Sequence, residues 1–443
     1  MICDYMKKVG TSPSGYGLSW GKKEQCENIL CHRPSNHCGT HVTLLCSTFA
    51  KFMEDCASVS PEADDCQFVE SLCHQMSDAL YIEKDRKKKL GLLLQNYLGN
   101  EVIGKSWAEY TSDLTISFSP SNAMIANIEV KGEKGRSGGD PLMQNLNYYM
   151  TFIENRGELF LEKGCCPCFL MTVVGVSFEI WGVCIAGNPC EYNGHLKLLS
   201  DPLATGQFLW IRADEGRMNS LVRTFTAFKH SLKHLSQYYS DLDKTLLGEG
   251  QLDFPTPHSF KNSEGSSVMF DYVNAMNHRT FMVRTAEDPP RELVVKFIHS
   301  YGKGAHQYCS ESSKGAPKLI TVEKMPFWNM VVMEYFENLE NIVEYAKHEE
   351  DKLAVCQKLF HIISLLHAGG FVHGDLRIQN IQVNSTTDQV VILDFDTAGI
   401  EGEVKYPYFL KNKTDGIGND GQLITKKDDL DLIKIISHRI QNL

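Results

Sequence analysis

The sequence predicts an α/β domain over residues 66–240 and an α+β domain over residues 259–443, and three observations lead to this architecture. Apolar strands alternate with amphipathic helices in the first region, a pattern typical of a sheet covered by helices, an α/β/α sandwich. Residues 241–258 mix Gly, Asp and Pro with little periodicity and indicate a linker. Beyond residue 259, strands come first and amphipathic helices follow, which predicts a two-lobed domain.

Composition narrows the classes of protein. The chain has 443 residues, enough for two or three domains. Its formal net charge of -11 argues against coating nucleic acid over the whole surface, but a local basic groove remains compatible with DNA binding. No apolar run long enough for a membrane span is present, and MICDYMKKVG lacks the apolar core of a secretory signal. The odd number of cysteines, 15, indicates reduced thiols in the nucleus or cytoplasm.

Residues 1–65 form an extension rich in thiols and imidazoles. Its cluster comprises Cys26, Cys31, His32, His37, Cys38, His41 and Cys46. Thiolate and imidazole are the ligands that zinc prefers, but the spacing has no paired C-x-x-C with a matching second half. We therefore favour separate thiols and keep a zinc site as the alternative.

Residues 66–98 are predicted to be helical. Apolar side chains at Phe68, Val69 and Leu72 share one face, and Leu90 and Leu94 continue the pattern. A basic run, residues 84–89, lies between them. Such a run is usually a solvated face, but in an acidic protein it is also the best candidate for contact with a phosphate backbone.

Two neighbouring strands carry the first set of chemical groups. Asp113 begins the strand DLTISF, and Glu129 and Lys131 lie two residues apart in the strand ANIEVK, so they face the same side. Two carboxylates can bind Mg²⁺, and a nearby lysine can polarise water or phosphate. The following segment, GGDPLMQNLNYY, begins a helix on which Gln144 and Tyr148 lie one turn apart.

The rest of the first domain is predicted from its periodicity. The run 168–186 predicts two strands broken at Gly175, Pro202 is expected to open a loop, and residues 221–239 are expected to be helical.

The second domain carries a lysine in a strand and a polar segment before a turn. Lys296 follows two valines in an alternating strand, and the apolar strand 331–336 ends in polar residues at Glu334 and Phe336. An amphipathic helix over residues 351–368 precedes the segment HGDLRIQN, which contains Asp375 and Asn380. The strand VVIL then leads to Asp394.

This arrangement resembles the protein kinase pattern H-x-D-x-x-x-x-N followed by D-F-x. The resemblance implies that Asp375 orients the attacking hydroxyl, that Asn380 and Asp394 hold Mg²⁺ and that Lys296 pairs with the α- and β-phosphates of ATP. It also implies that the strand ending at Glu334 and Phe336 is the hinge for adenine. The chain departs from the pattern because no G-x-G-x-x-G precedes Lys296, where only Gly265-Ser-Ser offers small residues. Its helical segment after Lys296 has no evident acid, except Glu311 as a substitute.

The first domain resembles the PD-(D/E)XK endonuclease-like fold. That resemblance implies a nuclease site of Asp113, Glu129, Lys131 and Gln144, with Mg²⁺ on the two acids and Glu83 as an accessory acid. It departs from the fold's usual pattern at Ser112, where a proline is common.

In the second domain, one of Asp428, Asp429 and Asp431 is expected to brace the catalytic loop as an aspartate does in kinases, although helix N-terminal charge explains these acids equally well.

Together the two domains resemble Crinkler-type proteins, on the strings DLTISF, IEVKGE, GGDPLMQNLNYY, VVKF, APKL, MEYF, HGDLRIQN, LDFDTAG and YPYFL. The resemblance implies a Mg²⁺-dependent DNA endonuclease fused to an ATP-dependent protein kinase-like domain, with DNA, ATP and a protein substrate as partners. The Leu-Phe-Leu-Ala-Lys-type header of oomycete members is absent. Two alternatives stay open, namely a DNA-binding scaffold with an inactive nuclease fold and a nucleotide-sensing pseudokinase, and a small-molecule phosphotransferase.

Overall fold

The chain divides into two units, Met1–Pro257 and His258–Leu443, which we call unit 1 and unit 2. The structure is a computed structural model. It describes residues 29–30, 39–77, 82–107, 110–133, 140–156, 158–161, 163–186, 197–211, 213–242, 254–348, 352–408, 418 and 420–442. Within these residues, no helix is long and apolar enough to cross a bilayer. The cysteines among them are free thiols, and most are buried.

Unit 1 is built on a mixed sheet. Its elements are β1 (Ile29–Leu30), α1 (Val42–Leu45), α2 (Ser47–Ser58), α3 (Ala63–Met76), α4 (Glu83–Leu98), β2 (Val102–Ile103), β3 (Ser106–Trp107), β4 (Tyr110–Thr111), β5 (Leu114–Phe118), β6 (Ala123–Lys131), α5 (Pro141–Arg156), α6 (Glu158–Leu161), β7 (Cys168–Val174), β8 (Ser177–Ala186), β9 (Lys197–Gln207) and α7 (Glu215–Leu242). Among the described strands, seven form one sheet in the order β1-β9-β8-β7-β6-β5-β2. The pairs β6–β7 and β1–β9 are parallel, and the other pairs are antiparallel.

Helices cover both faces of this sheet. Phe169 of β7 packs its ring against Phe49 and Phe52 of α2 and Phe228 of α7. Because Phe169 and Thr172 are three residues apart in one strand, they face opposite sides, and α5 packs against β6 and β7 on the Thr172 side. The packing of α2 shows that this part of the 1–65 extension shares the core of unit 1.

Two sequence expectations for unit 1 need correction. The described residues of the segment 66–98 form two helices, α3 and α4, because Ser77 caps the end of α3 and Ile82 caps the start of α4. Pro202 does not open a loop but lies inside β9, opposite Trp181, at a register shift of the β8–β9 pair. A proline is tolerated there because the register shift relaxes the hydrogen-bond ladder between β8 and β9.

Unit 2 has a strand-rich part followed by a helix-rich part. Its elements are β10 (Ser259–Lys261), β11 (Ser267–Asn277), β12 (Thr280–Thr285), β13 (Glu292–Ile298), α8 (Lys303–Ser313), β14 (Leu319–Lys324), β15 (Asn329–Glu334), β16 (Leu339–Asn341), α9 (Ile342–His348), α10 (Lys352–Ala368), β17 (Phe371–Val372), a 3₁₀ turn (Ile378–Asn380), β18 (Ile381–Asn384), β19 (Gln389–Ile392), β20 (Gly399–Ile400) and α11 (Lys426–Gln441). The strands β10 to β15 form an antiparallel sheet in the order β10-β11-β12-β13-β15-β14.

The helix-rich part of unit 2 holds the segment HGDLRIQN, residues 373–380. Helices α10 and α11 pack together, and their buried Leu359, Ile363 and Ile433 join one hydrophobic core with residues of the β18–β19 hairpin. That hairpin pairs Ile381 with Ile392, so the 3₁₀ turn before β18 and the residues after β19 emerge at the same end. This register brings Asn380 next to Leu393 and Asp394, because the Leu393 amide donates to the Asn380 carbonyl at 2.8 Å.

Candidate functional site

In unit 1, the β5–β6 hairpin brings Asp113, Glu129 and Lys131 together. The register pairs Leu114 with Ile128, so Asp113 lies beside the end of β6, where its Oδ2 accepts the Val130 amide at 2.9 Å. The Lys131 ammonium lies 2.7 Å from Glu129 Oε1, and the side chains are only 11% and 3% exposed. The alternation of β6 thus places the acid and the lysine on one face at the sheet's edge.

The electrostatics of this cluster are dominated by burial. Burial, with the nearby charge of Asp113, raises the pKa of Glu129 to about 7 despite the opposing Lys131 ammonium. Burial alone would lower the pKa of Lys131, but its hydrogen bond to Glu129 and the surrounding carboxylates raise it instead. Lys131 is therefore a fixed cation, and Glu129 is a carboxyl group that lacks enough positive charge around it.

Helix α5 contributes two further side chains to this cluster, Gln144 and Tyr148. Burial raises the pKa of Tyr148, and the charges of Glu129 and Asp113 raise it further because this phenol lies close to both carboxyl groups. Gln144 lies one turn earlier and is buried. Glu129 Oε2 and Gln144 Oε1 have no hydrogen-bond partner among the residues that the structure describes. Two buried acceptor oxygens without donors are costly, and a cation or a donor group of a ligand would satisfy them.

A buried hydrogen-bond network holds α5 on the sheet. Asn145 Nδ2 donates to the carbonyls of Asn127 and Met171, and Asn127 Nδ2 donates to Asn145 Oδ1 at 2.8 Å. Thr115 donates to Asn127 Oδ1, and the Thr115 and Ser112 hydroxyls lie 2.6 Å apart. Ser112, which stands where the endonuclease-like pattern commonly has a proline, therefore belongs to a polar chain that ties β5, β6 and α5 together and continues to the backbone of Lys105.

The basic run on α4 does not act as one surface. Arg86 is fully buried, and its Nη1 donates to the carbonyls of Met76 and Gly175. Lys87 forms an ion pair of 2.9 Å with Asp113 Oδ1, a partner that the sequence did not suggest. Glu83 lies beside the end of β6, since a Cβ built on Gly132 would be 3.9 Å from the Glu83 Cβ, and its charge contributes to the raised pKa of Glu129.

A cavity of about 760 Å³ lies next to the acid cluster and not on it. Its lining includes Thr172, Ser177, Glu179, Thr205 and Gln207, with the first turns of α5 and α7. Glu129 pairs in register with Thr172, Thr172 with Glu179, and Glu179 with Thr205, so these side chains form one row across four strands. The cavity is thus reached along the sheet face that carries Glu129.

In unit 2, Lys296 of β13 is the centre of an ion-pair cluster. Its Nζ lies 2.6 Å from Asp394 Oδ1 and 2.6 Å from Asp396 Oδ1, and the lysine side chain is 13% exposed. Asp394 has a left-handed backbone with φ of 69°, a conformation that non-glycine residues adopt rarely. The pairing with Lys296 outweighs burial and lowers the pKa of Asp394. Asp396 was not among the residues singled out in the sequence.

The segment HGDLRIQN supplies the other half of this cluster. Asn380 Nδ2 donates to the Asp375 carbonyl and to its Oδ2 at 2.8 Å, so the amide oxygen of Asn380 remains for a cation. Burial raises the pKa of Asp375 to about 6, while Arg377, 3.1 Å from Oδ2, opposes the rise. Arg377 also lies 4.0 Å from Asp394 Oδ2, so these charges are continuous with those around Lys296.

Helix α11 braces this loop from below through one of its three acidic residues. Asp429 is completely buried and accepts the backbone amides of His373 and Gly374. Asp428 caps the helix with Thr425, whereas Asp431 forms surface ion pairs with two lysines.

The remaining candidate positions in unit 2 are the end of β15, the small residues before Lys296 and the acid on α8. Glu334 is exposed and its amide donates to the Lys318 carbonyl, and Phe336 is half-buried just beyond β15. Gly265 lies in the β10–β11 turn, so the β11–β12 hairpin has no glycine at its tip. Glu311 is exposed on α8 and accepts a hydrogen bond from Gln307.

Most members of the N-terminal thiol and imidazole cluster lie outside the described part of the chain. Cys26, Cys31, His32, His37 and Cys38 lie outside the described residues, while His41 caps α1 and Cys46 is buried. Within the described residues, no three His, Cys, Asp or Glu side chains form a ready metal cage. The unit 1 cluster instead offers the carboxylates of Asp113 and Glu129, and the unit 2 cluster offers the carboxylate of Asp394 with the amide oxygen of Asn380. Oxygen donors of this kind suit Mg²⁺, which keeps waters and binds phosphate oxygens.

No protein-family model matches the chain, and no curated protein matches it. Among solved structures, the Cydia pomonella Granulovirus kinase PK-1 is similar over 39% of this chain and 67% of that chain, with 12% identity and a TM-score of 0.32. A similarity of this size carries no conclusion about activity. The kinase-like description of unit 2 therefore depends on its own strand order and side-chain contacts, and the endonuclease-like and Crinkler resemblances stay predictions.

Proposed function

We propose that unit 2 is an ATP-dependent phosphotransferase of the protein kinase-like class. The observation that carries the proposal is the continuous cluster in which Lys296 pairs with Asp394 while Asp375 and Asn380 are hydrogen-bonded on the adjacent loop. Phosphoryl transfer is catalysed by positioning and charge, and this cluster contains a cation for the phosphates, a base and two oxygen donors. The order of the strands β11 to β15 around Lys296 supports the same class.

The chemistry follows from these positions. The acceptor hydroxyl would form a new O–P bond at the γ-phosphorus of ATP, the bond to the bridging oxygen would break, and ADP would leave. Asp375 would take the hydroxyl proton, and its pKa of about 6 leaves the carboxylate form predominant at neutral pH. Asp394 and Asn380 would hold Mg²⁺, which supplies charge neutralisation on the phosphates. Lys296 would give up one of its two carboxylate contacts when its ammonium contacts the phosphates.

The test uses the purified full chain with Mg²⁺ and ATP labelled at the γ-phosphate. The acceptors are the chain itself, casein, choline and an aminoglycoside. We expect transfer that Asp375→Ala abolishes and that Asp271→Ala, an exposed acid on β11, leaves unchanged. Label on protein would identify a protein kinase, and label on a small acceptor would identify a small-molecule phosphotransferase. Stabilisation by nucleotide without any transfer would refute the proposal in favour of a pseudokinase.

We also propose that unit 1 is a Mg²⁺-dependent phosphodiesterase acting on DNA. The specific observation in its favour is the pair of buried acceptors, Glu129 Oε2 and Gln144 Oε1, that lack donors beside Asp113 and Lys131. Asp113 and Glu129 would hold Mg²⁺, which supplies a polarised water and neutralises phosphate charge. The Lys131 ammonium would stabilise the added negative charge on the phosphate while a water oxygen bonds to phosphorus, the bond to the sugar oxygen breaks and that oxygen takes the proton.

DNA cleavage by the full chain with Mg²⁺ tests this second proposal. We expect single-stranded or duplex DNA to be cut, and we expect EDTA and Glu129→Ala each to stop the reaction. Glu133→Ala is the matched control, because Glu133 lies two residues after Lys131 and is exposed. Cleavage that persists in Glu129→Ala would refute the site. DNA binding without cleavage would favour the scaffold alternative.

A further inference from the structure

We propose that Asp396 is the positioning residue that holds Lys296 toward the nucleotide, in the role that an acid on the helix after this strand has in protein kinases. This inference rests on the phosphotransferase function proposed for unit 2. It is carried by the two short ion pairs of Lys296, which both go to Asp394–Asp396, the D-F-D turn. Lys296 is nearly buried, and a buried ammonium needs an anionic partner.

Helix α8 has no acid in place for this role. Its acidic residue, Glu311, is exposed and is hydrogen-bonded to Gln307 on the same helix. The residue that α8 presents to the D-F-D turn is His306, whose ring stacks on Phe395 with centroids 4.6 Å apart. His306 is fully buried and bonded to the Tyr301 hydroxyl and the Pro317 carbonyl. A neutral ring therefore occupies the face of α8 from which a carboxylate would be needed.

The two carboxylates that contact Lys296 have different roles in this proposal. Asp394 is the residue placed to bind the cation on the phosphates, and it cannot serve the cation and Lys296 equally well. Asp396 follows two residues later and contacts the same ammonium at 2.6 Å. When Asp394 turns to the cation, Asp396 keeps Lys296 in place, so that the ammonium is aimed at the phosphates and its buried charge stays paired. The lysine and its acid then come from β13 and the D-F-D turn alone.

The experiment compares the full chain with Asp396→Asn, Asp396→Glu and Glu311→Gln. A fluorescent ATP analogue gives nucleotide affinity, and ADP release from Mg²⁺-ATP gives KM and kcat. We expect Asp396→Asn to raise the KM for ATP about tenfold, which corresponds to the loss of one charge-assisted contact, with a smaller change in kcat. Asp396→Glu, which keeps the charge, is expected to recover most of the affinity, and Glu311→Gln is expected to stay within about twofold of wild type.

A double-mutant cycle separates positioning from a general effect on folding. If Asp396 acts through Lys296, then Asp396→Asn adds almost nothing to the KM of Lys296→Met. Full additivity of the two changes, or a loss in Glu311→Gln as large as in Asp396→Asn, would overturn the inference. So would wild-type affinity in Asp396→Asn. A wild-type chain that neither binds Mg²⁺-ATP nor releases ADP would overturn the proposed function first, and this result differs from all of the others.

Discussion

Asp429 accepts the backbone amide of Gly374 at 2.9 Å, so a carboxylate on α11 supports the loop that carries Asp375. Its second oxygen accepts the amide of His373 at 2.8 Å and contacts the His367 imidazole. The position requires glycine, because its φ is 78° and because a Cβ there would lie 2.7 Å from Ile424. The helix and the loop therefore fix each other in a geometry that few residues permit.

Replacing Asp429 tests this relationship. Asp429→Asn puts an amide nitrogen against backbone donors, so we expect unit 2 to lose about 2–4 kcal/mol of unfolding free energy and phosphate transfer to fall about a hundredfold. Asp431→Asn, which removes only surface ion pairs, is expected to leave both quantities nearly unchanged. Asp428→Asn is expected to cost about 1 kcal/mol as a weakened cap. Equal effects in all three variants would show that helix N-terminal charge alone matters.

The three acids also show how far the sequence could lead. Their position at a helix start was legible, because capping residues and acids concentrate there. Which of them faces the loop depends on the packing of α11 against α10, and no local pattern encodes that rotation. Similarly, alternation in β6 put Glu129 and Lys131 on one face, but the pairing of Asp113 with Lys87 of α4 depends on tertiary contact.

Other features were hidden for the same reason. Arg86 lies in a basic run that suggested a solvated face. Its guanidinium is nevertheless buried and donates to two backbone carbonyls. Asp396 lies two residues after Asp394, and its partner Lys296 is a hundred positions away in the chain. Periodicity reports which face is apolar, but a charged residue is buried whenever its partners are supplied by another element, and single-sequence patterns do not contain that information.

The buried amide pair in unit 1 gives a second prediction. Asn145→Ala removes an acceptor from Asn127 Nδ2 and a donor from the carbonyls of Asn127 and Met171, and it leaves a small void. We expect the unfolding free energy of unit 1 to fall by about 2–3 kcal/mol, measured by urea unfolding. Asn155→Ala on the same helix is the control, because Asn155 is exposed and donates to the Thr151 carbonyl one turn earlier. A loss of the same size in both variants would mean that helix propensity, not the network, sets the effect.

The ion pair between Lys87 and Asp113 predicts competition with a divalent cation. Lys87→Met frees Asp113 from a cation 2.9 Å away, so we expect Mn²⁺ or Mg²⁺ to bind about fivefold more tightly by calorimetry. Lys88→Met, one residue further on the exposed side of α4, should leave the affinity as in wild type. Binding weakened by Lys87→Met would contradict the idea that this lysine occupies the cation's position.

His306 predicts an acid-sensitive step in the stability of unit 2. Burial lowers the pKa of His306 to about 4, whereas the unfolded chain titrates near the ordinary value of 6.5. Between these values the unfolded state binds more protons than the folded state. The contribution of neutral His306 to the unfolding free energy of unit 2 is therefore fully present above pH 6.5. It falls by up to about 3 kcal/mol as the pH falls toward 4.

Burial keeps the His306 imidazole neutral, although its hydrogen bond to the Pro317 carbonyl alone would raise its pKa. Its Nε2 donates to the Pro317 carbonyl and its Nδ1 accepts from the Tyr301 hydroxyl, an assignment that follows from these partners. Pulse proteolysis of the full chain in urea at pH 7, 6 and 5 should show wild-type unit 2 losing stability faster than His306→Gln. His361→Gln, an exposed imidazole on α10, should follow the wild-type slope. A His306→Gln slope equal to that of wild type would mean that the buried imidazole takes up its proton in the folded state, and the neutral face that α8 presents to Phe395 would no longer explain why Lys296 depends on Asp396.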